Sequence, residues 1–532
     1  MSYLLWHRFR DTADTQPDGL AVSDGIGSMT YGTLSESASR IAAALVDAGL
    51  SPGDRVGVLA TKSCRCVAAL LGILQAGGCY VPVDPRAPAS RSKYILENAG
   101  VRFLVTQLGL ARSLELAPGV DGIPPVSNIF LLDDEPARLD EDSEVLARGW
   151  NSGTAMLSDA VQRNENDPAY MLYTSGSTGR PKGVVISNRN ALTFVDWARD
   201  TFSLRAADRL SNHAPFHFDL SVLDLYGAFS CGASVHLVPE RVAPFPSALA
   251  KWIEETGITV WYSVPSALTR ILLHGDPGRF KYDRLRTVLF AGEVFPVKHL
   301  RDVMDVFPSA EFHNLYGPTE TNVCTHFPVP RPLSEHIADL PIGRTCANME
   351  AFAFTDAGSR GRVGEEGELL VRGPCVMLGY WALPERTAES LGQNPLHSDF
   401  HDPVYKTGDR VRVLDDGAFQ FLGRRDHMVK IRGYRVELGE IELALLAHPD
   451  VREAVVVAVD DDEVGARLHA VVVAEEETAL GIDLVTKHCL ERLPRYAVPE
   501  MVSFMVELPR TSTGKIDRVT LKRQLSNEVV TQ

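Results

Sequence analysis

The chain has 532 residues, more than one hydrophobic core normally supports, so we expect two or more domains. Its formal net charge of −16 argues against non-specific binding to nucleic acids or to anionic membranes. No stretch approaches the roughly 18–20 apolar residues of a membrane span, and the N-terminus lacks the pattern of a secretory signal. The 8 cysteines are too sparse for a disulfide scaffold, and no Cys or His cluster completes a zinc site. We therefore expect reduced thiols in a cytoplasmic protein.

Apolar runs of strand length alternate with segments of helical periodicity in the first half of the chain. Residues 33–50 carry apolar side chains at helical spacing, and the apolar run 56–60 follows them. The helical stretch 66–75 and the run 80–84 repeat this order. Further strand-like runs follow at 233–238, 260–264 and 287–290. This alternation predicts an α/β fold with layered, largely parallel sheets and flanking helices.

Two regions depart from this alternation. Residues 117–168 are rich in Pro, Asp, Glu and Asn and predict a partly mobile surface excursion. After about residue 405 short β segments appear, with an Asp-Asp-Gly hairpin turn at 415–417. The rest of the chain predicts a small α+β unit with helices at 437–447 and 484–493 and strands at 454–459 and 467–473. We expect a large N-terminal domain with a β-rich subdomain at 1–425, and a small domain at 426–532.

Residues 173–183, YTSGSTGRPKG, are dense in glycine and hydroxyl side chains and contain two cations. Glycines let backbone N–H groups approach phosphate oxygens closely, while hydroxyls and cations add donors and positive charge. A flexible linker is the alternative, but the Arg-Pro-Lys insertion and the apolar run 184–186 argue against it. Pro181 stands where a Walker A loop requires a glycine, and no serine-hydrolase elbow is present. The candidate triphosphate ligands are Thr174, Ser175, Gly176, Ser177, Thr178, Gly179 and Lys182.

Residues 173–183 resemble the phosphate loop of the adenylate-forming superfamily, which comprises acyl-CoA synthetases, luciferases and the adenylation domains of nonribosomal peptide synthetases. Seven further segments look like motifs of that family in the family's order: 74–85, 218–221, 314–320, 367–381, 405–410, 422–442 and 509–518. The resemblance therefore covers almost the whole chain. It implies a large domain followed by a mobile small domain, and ATP-dependent activation of a carboxylic acid.

The resemblance assigns roles at the ATP site. Tyr316 is similar to the aromatic residue that packs on adenine, and Asn314 to the residue that meets the adenine amino group. Glu320 matches the Mg²⁺-holding position, which suits the preference of this ion for carboxylate and phosphate oxygens. Asp409 resembles the ribose-binding carboxylate and Arg424 its companion, although a turn residue and a surface cation are the ordinary interpretations. The same resemblance adds Gly292, Glu293, Leu315, Gly317, Thr319 and Phe421.

The resemblance also implies a small domain with two working positions. Lys515 matches the lysine that reaches the site during adenylation, where it acts together with Thr174, Lys182 and Glu320. Asp426 matches the hinge, which we place at 425–427. The segment with Lys430 and Gly433 would meet the site in a second, thiol-transfer arrangement.

Asp219 is the most informative residue for the substrate. In amino-acid-activating members the matching aspartate pairs with the substrate ammonium, and a buried carboxylate needs such a partner. A helix cap at Asp219 or Ser221 is the alternative. The remaining pocket candidates are mostly apolar: Phe218, Leu220, Leu223, Ser266, Leu289, Ala291, Gly292, Leu315, Val323 and Cys324. They predict a small or medium aliphatic amino acid, and the build of the chain resembles free-standing enzymes that load β-amino acids, such as 3-aminobutyrate, in macrolactam biosynthesis.

The chain ends shortly after Arg518, so we expect the acceptor thiol on the phosphopantetheine arm of a separate carrier protein, in a natural-product pathway. An acyl- or aryl-CoA ligase is the alternative enzyme, and a catalytically silent nucleotide-binding protein is the alternative from another class. No nucleic acid or membrane partner is expected.

Overall fold

The computed structural model describes residues 3–114, 126–133, 137–138, 146–149, 155–176, 179–335, 337–425, 428–475, 478, 480–510 and 516–529. The first helices are α1 (Leu5–Thr15), α2 (Tyr31–Asp47), α3 (Cys64–Gln75), α4 (Ala89–Asn98), α5 (Leu108–Ser113) and α6 (Asn188–Thr201). The strands of this part are β1 (Leu20–Ser23), β2 (Ser28–Thr30), β3 (Arg55–Leu59), β4 (Cys79–Pro82), β5 (Phe103–Thr106), β6 (Asn128–Leu131), β7 (Ala137–Arg138), β8 (Leu146–Gly149), β9 (Pro168–Thr174) and β10 (Lys182–Ser187).

A second set of strands and helices completes the α/β body. Its strands are β11 (Arg209–Asn212), β12 (Ser234–Leu237), β13 (Val260–Ser263), β14 (Thr287–Ala291), β15 (Glu311–Tyr316), β16 (Thr325–Val329) and β17 (Arg344–Thr345). Its helices are α7 (Leu220–Val222), which continues as a π-helical turn, α8 (Pro246–Thr256), α9 (Pro265–His274) and α10 (Val297–Val306).

The β-rich subdomain and the small domain follow. The subdomain contains β18 (Glu350–Phe354), β19 (Glu366–Arg372), β20 (Gly379–Tyr380), α11 (Pro384–Ser390), β21 (Leu391–Gln393), β22 (Pro403–Val413) and β23 (Phe419–Arg424). The small domain contains β24 (Met428–Ile431), β25 (Tyr434–Glu437), α12 (Leu438–Leu446), β26 (Val451–Asp461), β27 (Gly465–Ala474), α13 (Ile482–Leu490), β28 (Met501–Phe504) and α14 (Arg518–Val529).

Two mainly parallel sheets organise the body, as the sequence predicts. Within the described residues their orders are β17-β16-β15-β14-β13-β11-β12-β1-β2 and β20-β10-β9-β4-β3-β5-β6-β8-β7. Helices α2 and α3 contribute to one apolar core that contacts both sheets. Gly72 is required in α3, because a Cβ there would lie 2.7 Å from the carbonyl oxygen of Ala38 in α2. The α/β fold class with a smaller C-terminal domain is confirmed.

Local signals explain where several helices begin. The hydroxyls of Thr30 and Ser63 accept hydrogen bonds from the first turns of α2 and α3, and Ser187 with Asn190 forms a capping box at α6. Proline occupies the first turn of α8 and α9, where its missing N–H leaves no helical hydrogen bond unmade.

Two expectations need correction. Residues 117–168 are not a surface excursion throughout, because β6 is largely buried and pairs in parallel with β5. The Pro, Asp and Glu residues around β6 concealed its four-residue apolar run, and much of the predicted excursion lies outside the described residues. The β-rich subdomain begins at β18 rather than near residue 405, since β18, β19 and β22 share one antiparallel sheet. The boundary at 425/426 stays a prediction, because residues 426 and 427 lie outside the described ranges.

The described parts of the chain contain neither a membrane-spanning helix nor a disulfide bond. No helix there is long and apolar enough to cross a bilayer. The 8 cysteines are free thiols, and burial raises the pKa of Cys66 to about 12, so this thiol is protonated at neutral pH.

Candidate functional site

A cleft of about 910 Å³ opens where parallel strands of the first sheet end and the small domain meets the body. Strands β13, β14 and β15 run parallel in adjacent positions, so the residues that follow them converge at one edge. The opposite wall comes from β9, from the β22–β23 pair and from the β24–β25 hairpin. The sequence-predicted residues that line this cleft are Thr174, Ser175, Phe218, Asp219, Leu220, Ala291, Gly292, Gly317, Thr319, Val323, Asp409 and Arg424.

Asp409 is held at one end of the cleft. It faces Arg424 across the β22–β23 ladder, and its Oδ1 accepts a hydrogen bond of 2.7 Å from Arg424 Nη1. Its Oδ2 accepts the hydroxyl proton of Tyr316, whose pKa burial raises well above its usual range. Asp409 is a buried strand residue rather than the turn residue that its sequence context favours. A buried carboxylate fixed in this way can accept hydrogen bonds from a pair of vicinal hydroxyls.

Glu320 is fully buried and surrounded by donors. Arg435 Nη1 lies 2.9 Å from both of its oxygens, and the Tyr380 hydroxyl donates to Oε1 at 2.6 Å. The Lys182 ammonium lies 3.7 Å from Oε1 and donates to the Tyr380 oxygen at 3.1 Å. Burial acts to raise the pKa of Glu320, but Arg435 and Lys182 outweigh it and bring this pKa to about 2. The carboxylate is therefore ionised at every physiological pH.

The phosphate loop joins β9 to β10. Its described residues include a hydroxyl group without a hydrogen-bond partner and a backbone position that leaves no room for a side chain. The Thr174 hydroxyl is buried and has no hydrogen-bond partner among the described residues. The Ser175 hydroxyl donates to the Arg435 carbonyl at 2.6 Å. Gly176 admits no side chain, because a Cβ would lie 2.2 Å from the Arg180 carbonyl oxygen. Burial lowers the pKa of Lys182 to about 8, with Glu320 opposing the shift, so this lysine is cationic at neutral pH. Ser177 and Thr178 lie outside the described residues.

Asp219 is partly buried and lines the cleft together with Ala291 and Val323. Burial raises the pKa of this carboxyl, and a hydrogen bond with Thr319 and the charge of Lys430 act in the opposite direction. Asp219 stands at the N-cap position of α7, but its side chain makes no capping hydrogen bond there. Asp219 thus places a carboxyl group beside the apolar residues Leu220, Ala291 and Val323 of the cleft.

The small domain closes the cleft with the turn of its β24–β25 hairpin. The Gly433 N–H donates to Glu293 Oε1 at 2.7 Å, and Glu293 Oε2 accepts from the Ser266 N–H at 3.0 Å. The Lys430 ammonium lies 5.6 Å from the ring centroid of Tyr316. This is the segment that the resemblance assigns to the thiol-transfer arrangement.

Several candidates lie outside the lining of the cleft. Leu223, Leu289 and Leu315 are buried in the large core, Cys324 packs in the apolar cluster of the β-rich subdomain, and Ser266 lines a neighbouring cavity. The Asn314 side chain donates to the Pro341 carbonyl at 2.9 Å, and Phe421 lies 6.5 Å from Tyr316 between ring centroids. Lys515 and Asp426 lie outside the described residues, so their roles stay predictions.

Sequence reasoning missed several residues that the structure brings to the cleft: Leu172, Tyr173, His217, Tyr262, Pro318, Asn322, Met428, Tyr434, Arg435 and Tyr496. Tyr262 lies within the predicted strand 260–264 and Arg435 in a recognised motif segment, so their positions carried a signal. Nothing in their spacing indicated which way their side chains face.

Comparisons with known proteins agree with this geometry. The AMP-binding enzyme family matches residues 9–381, and the AMP-binding enzyme C-terminal domain matches residues 440–515. The chain is 43% identical over 523 residues to the L-proline–[L-prolyl-carrier protein] ligase of Pseudomonas fluorescens, covering 98% of this chain and 99% of that protein. It is 39% identical over 513 residues to the ligase of the same name from Streptomyces coelicolor, covering 95% and 94%.

Solved structures show the same architecture. The crystal structure of IdnL1 superposes with a TM-score of 0.78 at 28% identity, over 96% of this chain and 99% of that one. The amide bond synthetase McbA from Marinactinospora thermotolerans superposes with a TM-score of 0.86 at 26% identity, over 98% and 99%. Since the family model spans well over half of its residues, the chain belongs to the AMP-binding enzymes and is an adenylate-forming ligase.

Proposed function

We propose that this enzyme activates a small apolar amino acid, with L-proline as the first candidate, and transfers it to the phosphopantetheine thiol of a carrier protein. The observation that carries the proposal is the partly buried carboxyl group of Asp219, which lines the cleft together with the apolar residues Leu220, Ala291 and Val323. A buried charge is costly unless it is paired, so the group calls for a cationic ligand. The ammonium of an amino acid supplies that charge, whereas benzoates and fatty acids do not.

L-Proline is favoured over other amino acids by two considerations. The two relatives described above are named for it, and one is similar over nearly its whole length. A compact ring suits the apolar residues Leu220, Ala291 and Val323, and the secondary ammonium of proline still has two N–H donors for the Asp219 carboxylate. A short β-amino acid such as 3-aminobutyrate, activated for macrolactam biosynthesis, is the second candidate.

In the first half-reaction the substrate carboxylate attacks the α-phosphorus of ATP and pyrophosphate leaves. Thr174 and Lys182 supply a hydroxyl donor and a positive charge for the phosphates, and we assign Lys515 to the charge that builds up at the α-phosphate. Glu320 would hold Mg²⁺, since this ion prefers carboxylate and phosphate oxygens, and the ion would supply positive charge for the phosphates.

The second half-reaction needs access for a thiol. A cavity of about 1070 Å³ runs between the two domains beside the cleft, and Phe218, Leu220 and Tyr434 line both spaces. Arg86, Arg270 and Arg432 stand along this channel and provide positive charge for a phosphate group. A long arm that carries a phosphate at one end and a thiol at the other fits this shape and charge. The thiol attacks the activated carbonyl, and AMP leaves with the electrons of the broken C–O bond.

ATP–pyrophosphate exchange across a panel of acids tests the proposal. The panel contains L-proline, L-valine, L-alanine, 3-aminobutyrate, benzoate and a fatty acid. We expect the highest kcat/KM with L-proline, and exchange with benzoate or the fatty acid alone would exclude an amino-acid activator. Loading of a phosphopantetheinylated carrier against free CoA, measured by mass spectrometry, separates the carrier ligase from a CoA ligase. A silent nucleotide-binding protein would support no exchange with any acid.

A further inference from the structure

We propose that Gly227 holds the side chain of Leu223 back from the substrate cleft and thereby sets the size of the amino acid that the cleft accepts. The inference rests on the proposed function, because it concerns the acid that is activated there. Gly227 is then a positioning residue that acts through Leu223.

An irregular helical turn lies directly behind the candidate ammonium partner of the substrate. Asp219, which lines the cleft, stands at the N-cap of α7, and Leu223–Gly227 continue that helix as a π-helical turn. A π turn bonds residue i to residue i+5, is rare, and occurs often at functional sites. All five residues of this turn are buried, so their packing bears directly on the wall of the cleft.

The glycine at position 227 is required by space and not by backbone conformation. Its φ does not lie in the left-handed region, and alanine is the stronger helix former. A Cβ at this position would lie 2.7 Å from Leu223 Cδ1 and 3.3 Å from Leu204 Cδ1. A methyl group at position 227 would therefore have to displace a leucine side chain, and Leu223 is the nearer of the two.

The backbone of the turn is held in place more firmly than the tip of Leu223. The Tyr226 hydroxyl donates a hydrogen bond of 3.1 Å to the hydroxyl of Tyr80 in β4, and both side chains are buried. The Tyr226 carbonyl accepts from the Ser230 N–H at 3.0 Å. Because the turn is tied at both ends of Tyr226, the flexible leucine tip yields before the backbone does.

A displaced Leu223 would move toward the substrate. It is 1% exposed and shares one apolar core with Leu220 and Tyr262, which line the cleft. Helical side chains lean toward the N-terminus of their helix, so a methyl group at position 227 pushes Leu223 toward Asp219, four residues earlier. One methylene in an apolar pocket changes kcat/KM about 10-fold to 200-fold, so a displacement of this size is enough to change selectivity.

ATP–pyrophosphate exchange with cyclic amino acids of increasing size tests the inference on the full-length enzyme. The series is L-azetidine-2-carboxylate, L-proline and its six-membered homologue L-pipecolate. Gly227→Ala should lower kcat/KM about tenfold for L-proline and about tenfold further for L-pipecolate, but no more than about threefold for L-azetidine-2-carboxylate. The KM for ATP should stay within about twofold of the parent, which a general loss of folded enzyme or a distorted nucleotide site would not produce. If the parent prefers an acyclic amino acid, the same pattern is expected across its shorter and longer homologues.

A second substitution identifies the leucine that transmits the effect. Leu223→Val removes one carbon atom where Gly227→Ala adds one, so the double variant should return to within about threefold of the parental kcat/KM for L-proline. Leu204→Val removes the same carbon atom from the other leucine near position 227 and should leave the defect of Gly227→Ala in place.

Leu223→Val alone gives a test that does not depend on whether Gly227→Ala folds. The cleft wall can relax into the vacated space, so this variant should raise the preference for L-pipecolate over L-proline about tenfold.

Gly57 of β3 provides a matched control for strain in the core. A Cβ there would lie 2.7 Å from Leu96 Cδ2, the same approach to a leucine tip, and neither residue lines the cleft. Gly57→Ala should lower the melting temperature and leave the ratios of kcat/KM within the series unchanged.

Four results would overturn the inference: parental ratios in Gly227→Ala, a parental preference in Leu223→Val, rescue by Leu204→Val as complete as rescue by Leu223→Val, or an equal change of selectivity in Gly57→Ala. Each of them leaves the proposed function standing if the parent exchanges pyrophosphate with amino acids. Conversely, a parent that exchanges with no amino acid would refute the proposed function itself.

Discussion

Replacing Asp219 with asparagine keeps the shape of this partly buried side chain and removes its capacity to carry a negative charge. Loss of one partner from a buried, hydrogen-bonded charge pair costs about 2–5 kcal/mol. At about 1.4 kcal/mol per factor of ten, kcat/KM for the amino acid should fall roughly 30-fold to 4000-fold. ATP–pyrophosphate exchange over a range of L-proline concentrations measures this loss. An Asp219→Asn enzyme within about threefold of the parent would refute the assignment of Asp219 to the substrate ammonium.

The same substitution should not destabilise the free enzyme. Burial raises the pKa of Asp219 above its ordinary value of 3.8, so between the two pKa values the folded state binds more protons than the unfolded state. Desolvation of the Asp219 carboxylate therefore lowers stability at neutral pH, and this effect vanishes below the unfolded pKa. Asp219→Asn should melt at the same or a higher temperature than the parent at pH 7.

Asp224 provides the matched control for this experiment. It is a second carboxylate whose pKa burial raises, and its Oδ2 accepts a hydrogen bond of 3.0 Å from Asn212 outside the cleft lining. Asp224→Asn should likewise tolerate loss of its charge but should keep kcat/KM within about threefold of the parent. An equal loss of activity in both variants would show that the effect of Asp219→Asn is structural.

Three further predictions concern the ATP site and the hairpin. Gly433 has a φ of +79°, and a Cβ would lie 2.2 Å from Val264 Cγ1, so Gly433→Ala should slow single-turnover transfer to the carrier far more than pyrophosphate exchange. Since Lys182 has a pKa of about 8, its charge is lost as the pH rises through 8; the KM for ATP should rise there, and Lys182→Arg should flatten this profile. Asp409→Asn removes a charged acceptor worth about 1.5–3 kcal/mol, so the KM for ATP should rise roughly 10-fold to 150-fold in steady-state assays, and an unchanged KM would contradict its ribose role.

The β22–β23 hairpin and strand β6 show which structural elements a local sequence pattern can predict and which it cannot. The hairpin predicted at residues 410–422 forms as β22 and β23, because its Asp-Asp-Gly turn and flanking strands are encoded within a few residues. The sequence does not predict strand β6, because a run of four residues between polar segments is too short to show a reliable hydrophobic periodicity. Its identity as a strand depends on pairing with β5, which no local pattern contains.

The sequence by itself determined the alternation of helices and strands, the phosphate loop and the order of the family's motifs. Each of these depends on neighbouring residues and on the chemistry of individual side chains. Only the tertiary structure decided that Glu320 faces Arg435, 115 residues away, and that Arg91 meets Glu440 across 349 residues. Such contacts arise from how the domains pack, because burial and desolvation set the strength of a charge pair and neither is visible in residue spacing.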